Sequence, residues 1–302
     1  VLERVPDLVS DVFCVDDACP DGSAELIEQQ CDDPRVTVLR HRKNKGVGGA
    51  MITGYKAALE AGADIIVKID GDGQMDPQNV QQLIRPIVDN EADYVKGNRF
   101  FLLENLDGMP AMRLIGNSIL SFMSKLSTGY WRIFDPTNGF TAIHARTLAL
   151  LPLGKIHRRY FFESDMLFRL AILRAVVRDM PQKAIYADEN SSMKLPRIVP
   201  LFIWLHSRNF IKRIFYSYFL RDFHLASIEW VLGPMLFMFG VIYGSVSWYE
   251  SSASHINTPA GTVMLSGLPV IIGLQLILSA IGFDVDNQPD TPIQKQLYKD
   301  SI

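Results

Sequence analysis

Along residues 1–196, short β-branched and aliphatic runs alternate with stretches of helical spacing. Asp11–Val15 (DVFCV) reads as a strand that ends in Asp16-Asp17, and a CPDG turn precedes helical spacing over Ser23–Cys31. Val36–Arg40 reads as a second strand, followed by a glycine-rich turn and a helix over about Val47–Ala61. Ile65–Ile69 is a third apolar strand ending in Asp70, a helix begins near Pro77, where proline suits a first turn, and Tyr94–Gly97 is a fourth strand. This alternation predicts an α/β domain with a sheet that is parallel over this stretch. Ligands of such sheets bind at the carboxyl ends of the strands.

The pattern changes after residue 225. From Ala226 to Trp248 the only formal charge is Glu229, and from Thr262 to Phe283 there is none. Each run has the roughly 20 apolar residues that cross a hydrocarbon core of about 30 Å, so a transmembrane hairpin is predicted over 226–283. Before the first run, 197–225 mixes Arg197, Arg208, Lys212, Arg213 and Arg221 with Phe, Tyr, Ile and Trp, as in helices lying at headgroup depth; a helix packed on the soluble domain is the alternative. The connector Tyr249–Gly261 has Glu250 and neither Lys nor Arg, whereas the tail, 284–302, has Lys295 and Lys299. Basic residues on both flanks predict an integral membrane protein with the α/β domain and the tail in the cytoplasm and the connector outside, as at a bacterial inner membrane or its equivalent.

Composition narrows the class further. With 48% hydrophobic and 21% charged residues the 302-residue chain is a folded protein. A net charge of −3 excludes a basic nucleic-acid-binding surface as its main business. Cys14, Cys19 and Cys31 are odd in number and match no zinc spacing, so neither a disulfide framework nor a zinc site is expected.

The chemistry concentrates at strand ends. Asp16-Asp17 closes one strand and Asp70-Gly71-Asp72-Gly73-Gln74 closes another. Carboxylates one residue apart can approach one hard divalent cation, Mg²⁺ or Mn²⁺, with Gln74 offering a neutral oxygen. Asp76, before Pro77, reads as a turn former or cap instead. Asn44-Lys45-Gly46-Val47-Gly48-Gly49 lacks the spacing of a dinucleotide fingerprint and the ending of a P-loop, and reads as a glycine-rich helix entry near an anion.

Six ordered blocks, VFCVDDACPDGS, NKGVGGAMITGYKAALEAG, IIVKIDGDGQMDP, VKGNRF, DPTNGFTAI and YFFESDML, resemble family 2 glycosyltransferases, in particular the dolichyl- or polyprenyl-phosphate sugar synthases. The resemblance covers about residues 1–194. It implies a GT-A fold, a Rossmann-like nucleotide-sugar-binding domain with a mixed sheet. The family's first strand has no counterpart before Val1, so the chain reads as a fragment that begins in the helix after it. By resemblance Asp70, Asp72 and Gln74 hold the metal, and Asp17, with Asp16 beside it, meets the nucleoside. Asn44, Gly46 and Gly48 line the donor, Arg99 and Arg113 meet phosphates, and Glu163 and Asp165 face the acceptor. The late acceptor loop departs from the family pattern, and Lys194 is its nearest basic residue.

The expected reaction moves a hexose from a UDP- or GDP-sugar to a membrane acceptor with inversion at the anomeric carbon. Polyprenyl phosphate is favoured over a saccharide hydroxyl. A phosphate with its second pKa near about 6 is already anionic, whereas a hydroxyl needs a base such as Asp165. A nucleotidyltransferase and a non-catalytic membrane protein with a vestigial domain are the competing classes. A homo-oligomer is left open.

Overall fold

The computed structural model describes residues 1–101, 111–182 and 195–299, with the backbone alone at 111–113, 195–197 and 297–299. The chain forms two compact units: Val1–Arg213 together with the C-terminal residues from Pro289, and Ile214–Gln288.

In the first unit β1 (Val12–Asp16) pairs in parallel with β2 (Val36–Arg40), Val12 facing Val36 and Asp16 facing Arg40. A second sheet has the order β3-β5-β4-β6, from β3 (Ile65–Lys68), β4 (Tyr94–Asn98), β5 (Thr141–His144) and β6 (Val177–Pro181). β5 runs antiparallel to β3 and β4, and β4 runs parallel to β6. The sheet is therefore mixed, and the parallel arrangement read from the first four strands holds only locally.

Alternation along each strand builds two cores. Ile66, Tyr94 and Ile143 join Tyr55 of α2 (Val47–Glu60) and Met166, Leu167 and Leu170 of α6 (Phe162–Leu173). Their neighbours Val67, Val95 and Ala142 join Leu83 and Ile87 of α3 (Val80–Val88). Successive strand residues point to opposite faces, so this division gives helices on both sides of the sheet. The helix expected near Pro77 begins as a 3₁₀ turn, Pro77–Asn79, capped by Asp76, whose Oδ1 accepts the Gln78 N–H at 3.0 Å. Further helices of this unit are α1 (Ser23–Gln30), α4 (Ala111–Thr128), α5 (Ala145–Ala149) and α7 (Leu195–Phe215), which continues by two residues into the second unit.

α7 covers most of the segment expected at headgroup depth, and one of its faces packs on the α/β domain. Asn209 donates to Asp165 at 3.1 Å, and Arg213 donates to the Leu126 carbonyl at 2.8 Å. His206 lies against Phe161, ring centroids 4.9 Å apart, with Nδ1 2.8 Å from Ser127 Oγ. Val199, Ile203, Trp204 and Ile211 face outward. The reading of a helix packed on the α/β domain thus describes one face of this segment, and the other face presents apolar side chains.

Burial pushes the His206 pKa down to about 4. An unfolded histidine titrates near about 6.5, so below that pH the unfolded chain takes up a proton that the native state refuses. The stability associated with neutral His206 is complete above about pH 6.5 and is lost as pH falls toward about 4. His206→Gln should therefore shrink the difference in melting temperature between pH 7 and pH 5; an unchanged difference would contradict this role.

Part of the expected tail is tied to the α/β domain. α10 (Ile293–Lys299) begins on Asp93, which is fully buried and accepts the backbone N–H of Ile293 at 2.9 Å and of Gln294 at 3.1 Å. Gln294 in turn donates to the carbonyls of Ile87 and Ala92.

The second unit is a helical pair. α8 (Leu225–Ser254) and α9 (Ala260–Asp286) have 30 and 27 residues, longer than the apolar runs that predicted them, and take Glu250 out of the connector into α8. Only 28% and 11% of their most apolar stretches are covered by protein, which suits lipid-facing helices better than the core of a soluble domain. The two backbones approach closely at Gly273, where a Cβ would lie 2.4 Å from the Phe237 nitrogen. Glu229 is buried and accepts from Ser279 Oγ at 2.9 Å, and Tyr218 donates to Asp284 at 2.7 Å, so these polar groups are paired within the unit.

Candidate active site

Two strand ends carry the acidic motifs. After β1, Asp17 lies 2.7 Å from His41 Nδ1 and accepts the backbone N–H groups of Lys45 (2.8 Å) and Gly46 (2.7 Å). Asn44 donates its amide to the Asp17 carbonyl at 3.2 Å, and His41 Nε2 lies 2.8 Å from Thr53 Oγ1 on α2. Burial alone would raise the Asp17 pKa, but the bonds from His41, Lys45 and Gly46 outweigh it and hold the carboxylate below its ordinary value. Asp17 is thus the post on which the 44–46 loop is hung. Asp16 lies next to it, with Oδ1 accepting the Cys19 N–H at 3.1 Å.

The glycines of that loop, expected to line a donor, also permit a close backbone approach. Gly46 has φ +84°, and a Cβ there would lie 2.6 Å from the Arg158 carbonyl; at Gly48 it would lie 2.4 Å from that of His157. Gly49 N–H donates to the Arg158 carbonyl at 3.0 Å. The space beside these glycines holds the 157–159 backbone, which docks the start of α2 against the segment leading into α6.

After β3, Asp70 and Asp72 sit at the rim. Asp72 is exposed, and its Oδ1 accepts the Gln74 N–H at 3.0 Å, closing a tight turn. Asp70 Oδ1 is 2.9 Å from Lys68 Nζ, and the same ammonium is 3.2 Å from Glu163 Oε1 at the start of α6. Burial would lower the Lys68 pKa, but Glu163 and Asp70 outweigh it and raise it. Among the described residues no three His, Cys, Asp or Glu side chains group as a complete metal cage. Two rim carboxylates and the Gln74 amide oxygen instead fit the hard-cation pattern in which one or two carboxylates act with substrate phosphates.

Asp165, expected to face the acceptor, is buried. Its side chain is 1% exposed; Oδ2 accepts the His157 N–H at 2.9 Å and faces Arg169 at 3.5 Å, and Oδ1 accepts from Asn209. Both oxygens are used in fastening α6, α7 and the 157–159 segment together. Arg99 is held in a fork by Asp135, with Nε to Oδ2 2.8 Å and Nη2 to Oδ1 3.0 Å. Burial raises the Asp135 pKa, and the bonds and charge of Arg99 more than reverse it. The side chain of Arg113 and the whole of Lys194 lie outside the described residues.

Three residues that the sequence reading passed over support this site. Lys68 ends the run IIVK, Lys96 lies in YVKGN, and His41 follows β2. Lys96 is fully buried and donates to the Asn138 carbonyl; burial lowers its pKa, and burial raises that of Asp179 nearby. A lysine inside an otherwise apolar strand was the available signal, because a buried ammonium requires partners.

This is an α/β domain of the GT-A kind. It superposes on glucosyl-3-phosphoglycerate synthase from Mycobacterium tuberculosis, solved with Mn²⁺, UDP-glucose and phosphoglyceric acid, with a TM-score of 0.51 and 16% identity over 70% of this chain and 72% of that one. Residues 1–149 match the family described as glycosyl transferase family 2. The chain is 36% identical over 154 residues to the UDP-N-acetylglucosamine–dolichyl-phosphate N-acetylglucosaminyltransferase of Methanococcus voltae, 51% of this chain and 61% of that relative's length. It is 34% identical over 184 residues to the undecaprenyl-phosphate mannosyltransferase of Micrococcus luteus, 60% of this chain and 74% of that one. The chain belongs to glycosyltransferase family 2.

Proposed function

We propose that this protein is a divalent-metal-dependent, inverting glycosyltransferase that moves a hexose from a UDP- or GDP-sugar to polyprenyl phosphate at a membrane. One observation carries the choice of acceptor: both carboxylates of the acceptor motif already have partners within the α/β domain. Asp165 is buried with both oxygens engaged, and Glu163 is held by Lys68. A hydroxyl acceptor would need a base there, whereas a lipid phosphate brings its own negative oxygen. The two relatives named for dolichyl and undecaprenyl phosphates and the two membrane-length helices support the same reading.

Asp70, Asp72 and Gln74 are the residues that would hold the ion, Mg²⁺ or Mn²⁺. When bound, it neutralises charge on the departing nucleoside diphosphate. Asp17 orders the 44–46 loop on the donor side, with Asp16 beside it, and Asp135 presets the Arg99 guanidinium as a phosphate partner. Arg113 and Lys194 keep the roles the family resemblance gives them, as further cations for diphosphate or acceptor. Attack from the face opposite the leaving group inverts the anomeric carbon. A cytoplasmic active site is supported by charge: Arg208, Lys212, Arg213 and Arg221 precede the helical pair and Lys295 follows it, whereas its connector has neither Lys nor Arg.

The test is incubation of membranes carrying the full chain with radiolabelled nucleotide-sugars, with and without added polyprenyl phosphate. Label should enter the organic phase only when the lipid phosphate is present. Transfer to a water-soluble sugar with no response to the lipid would overturn the acceptor assignment.

A further inference from the structure

We propose that Lys68 is a resident counter-ion for Asp70, which keeps a divalent cation from settling there alone and so ties metal binding to arrival of the donor diphosphate. This rests on the metal reading of Asp70 and Asp72 above and assigns a role to a residue outside that set.

The arrangement is built rather than incidental. Lys68 is the last residue of β3, and its side chain is 2% exposed. The Ile66 side of the strand, on which Lys68 also falls, is lined by Tyr55, Tyr94 and Phe162, an apolar setting where an ammonium persists only with charged partners. Two are supplied, Asp70 at 2.9 Å and Glu163 at 3.2 Å, from β3's own end and from α6. Room for the triad depends on Gly139: a Cβ there would lie 2.2 Å from Asp70 Oδ2 and 2.4 Å from Lys68 Nζ. The donor-side motif and the acceptor-side motif therefore share one cation.

The consequence follows from charge. A cation approaching Asp70 and Asp72 meets the Lys68 ammonium already on Asp70 Oδ1, at a distance where like charges repel strongly. A nucleoside diphosphate adds negative oxygens on the outer side and reverses that balance, so ion and nucleotide favour one another. Such coupling is reciprocal: each raises the other's affinity by the same factor. Lys68 acts through Asp70 and is a positioning residue.

The experiment measures binding of Mn²⁺ to the full chain in detergent by electron paramagnetic resonance, alone and with UDP or GDP. Lys68→Met should tighten Mn²⁺ binding without nucleotide by at least about tenfold and change it far less with nucleotide, shrinking the coupling factor. Lys68→Arg keeps the charge and should keep weak binding alone and strong coupling, so a folding defect in the Met variant would show as loss of the nucleotide-supported site as well. In that event Lys68→Gln, which retains a polar partner for Glu163, takes its place and should also tighten Mn²⁺ alone. Failure of wild type to bind Mn²⁺ with either nucleotide would end the metal reading itself. Wild-type binding that is lost in Asp70→Asn, with no tightening in any neutral Lys68 variant, would overturn the counter-ion role and leave the metal reading intact.

Discussion

Asp72→Asn and Asp70→Asn are each expected to lower sugar transfer by about 10²–10³-fold, the scale of losing one group that stabilises charge in a transition state. Folding should be spared. Asp72 is exposed, and its one turn-closing bond accepts the Gln74 N–H, which an asparagine oxygen also accepts. Asp70→Asn leaves Lys68 its second carboxylate, Glu163. Melting temperatures close to wild type, with turnover nearly abolished at saturating Mn²⁺ or Mg²⁺, is the predicted pair of results. Full turnover in both variants would remove Asp70 and Asp72 from the reaction.

The second large effect concerns stability. Asp165→Ala should cost about 3–5 kcal/mol, because it strips a buried carboxylate from the His157 N–H, the Asn209 amide and Arg169 together. Asp165→Asn should cost less, since its remaining oxygen can still accept one of these donors. What separates this role from that of a base is the pH dependence. Residual turnover of Asp165→Asn should show the wild-type pH profile and a modest rate loss. A fall of about 10²–10⁴-fold together with loss of the acidic limb is the signature of a removed base and would restore the hydroxyl-acceptor reading.

The first half of the fold was legible because it follows simple periods. DVFCV, VTVLR and IIVKI are short, β-branched and bounded by turns, and each lies within a residue of the strand that forms. β6 was not visible: Val177–Pro181 carries Arg178, Asp179 and Pro181, and only its place beside β4 makes it a strand. The antiparallel β5 was equally silent, since four residues do not reveal their direction. α7 was ambiguous in sequence for a physical reason, as its polar residues His206, Asn209 and Arg213 turn inward to partners on the α/β domain while Val199, Ile203, Trp204 and Ile211 face out. Composition alone suggests the reverse.

At the site, residue types at strand ends were readable and their partners were not. Asp70 and Asp72 announced themselves by spacing, but the ammonium behind Asp70 comes from the preceding apolar run and is shared with a glutamate 95 positions away. Glu163 and Asp165 lie two residues apart in sequence and look equivalent. On α6 that separation turns them toward different surroundings, one to Lys68 and the other to Asn209 and the His157 backbone. Gly46 and Gly48 read as a helix entry near an anion, and the 157–159 backbone that fills the space beside them was not legible.

The central claim is that only the sugar leaves the donor and that it lands on a lipid phosphate. A nucleotide-sugar carrying tritium in the hexose and phosphorus-32 in the sugar-linked phosphate, incubated with the full chain, divalent cation and polyprenyl phosphate, tests it in one extraction. The account predicts tritium in the organic phase and phosphorus-32 retained in the aqueous nucleoside diphosphate. Both labels in the lipid would mean transfer of a sugar phosphate, and both remaining in water while a soluble sugar becomes tritiated would mean a hydroxyl acceptor; either result contradicts the account.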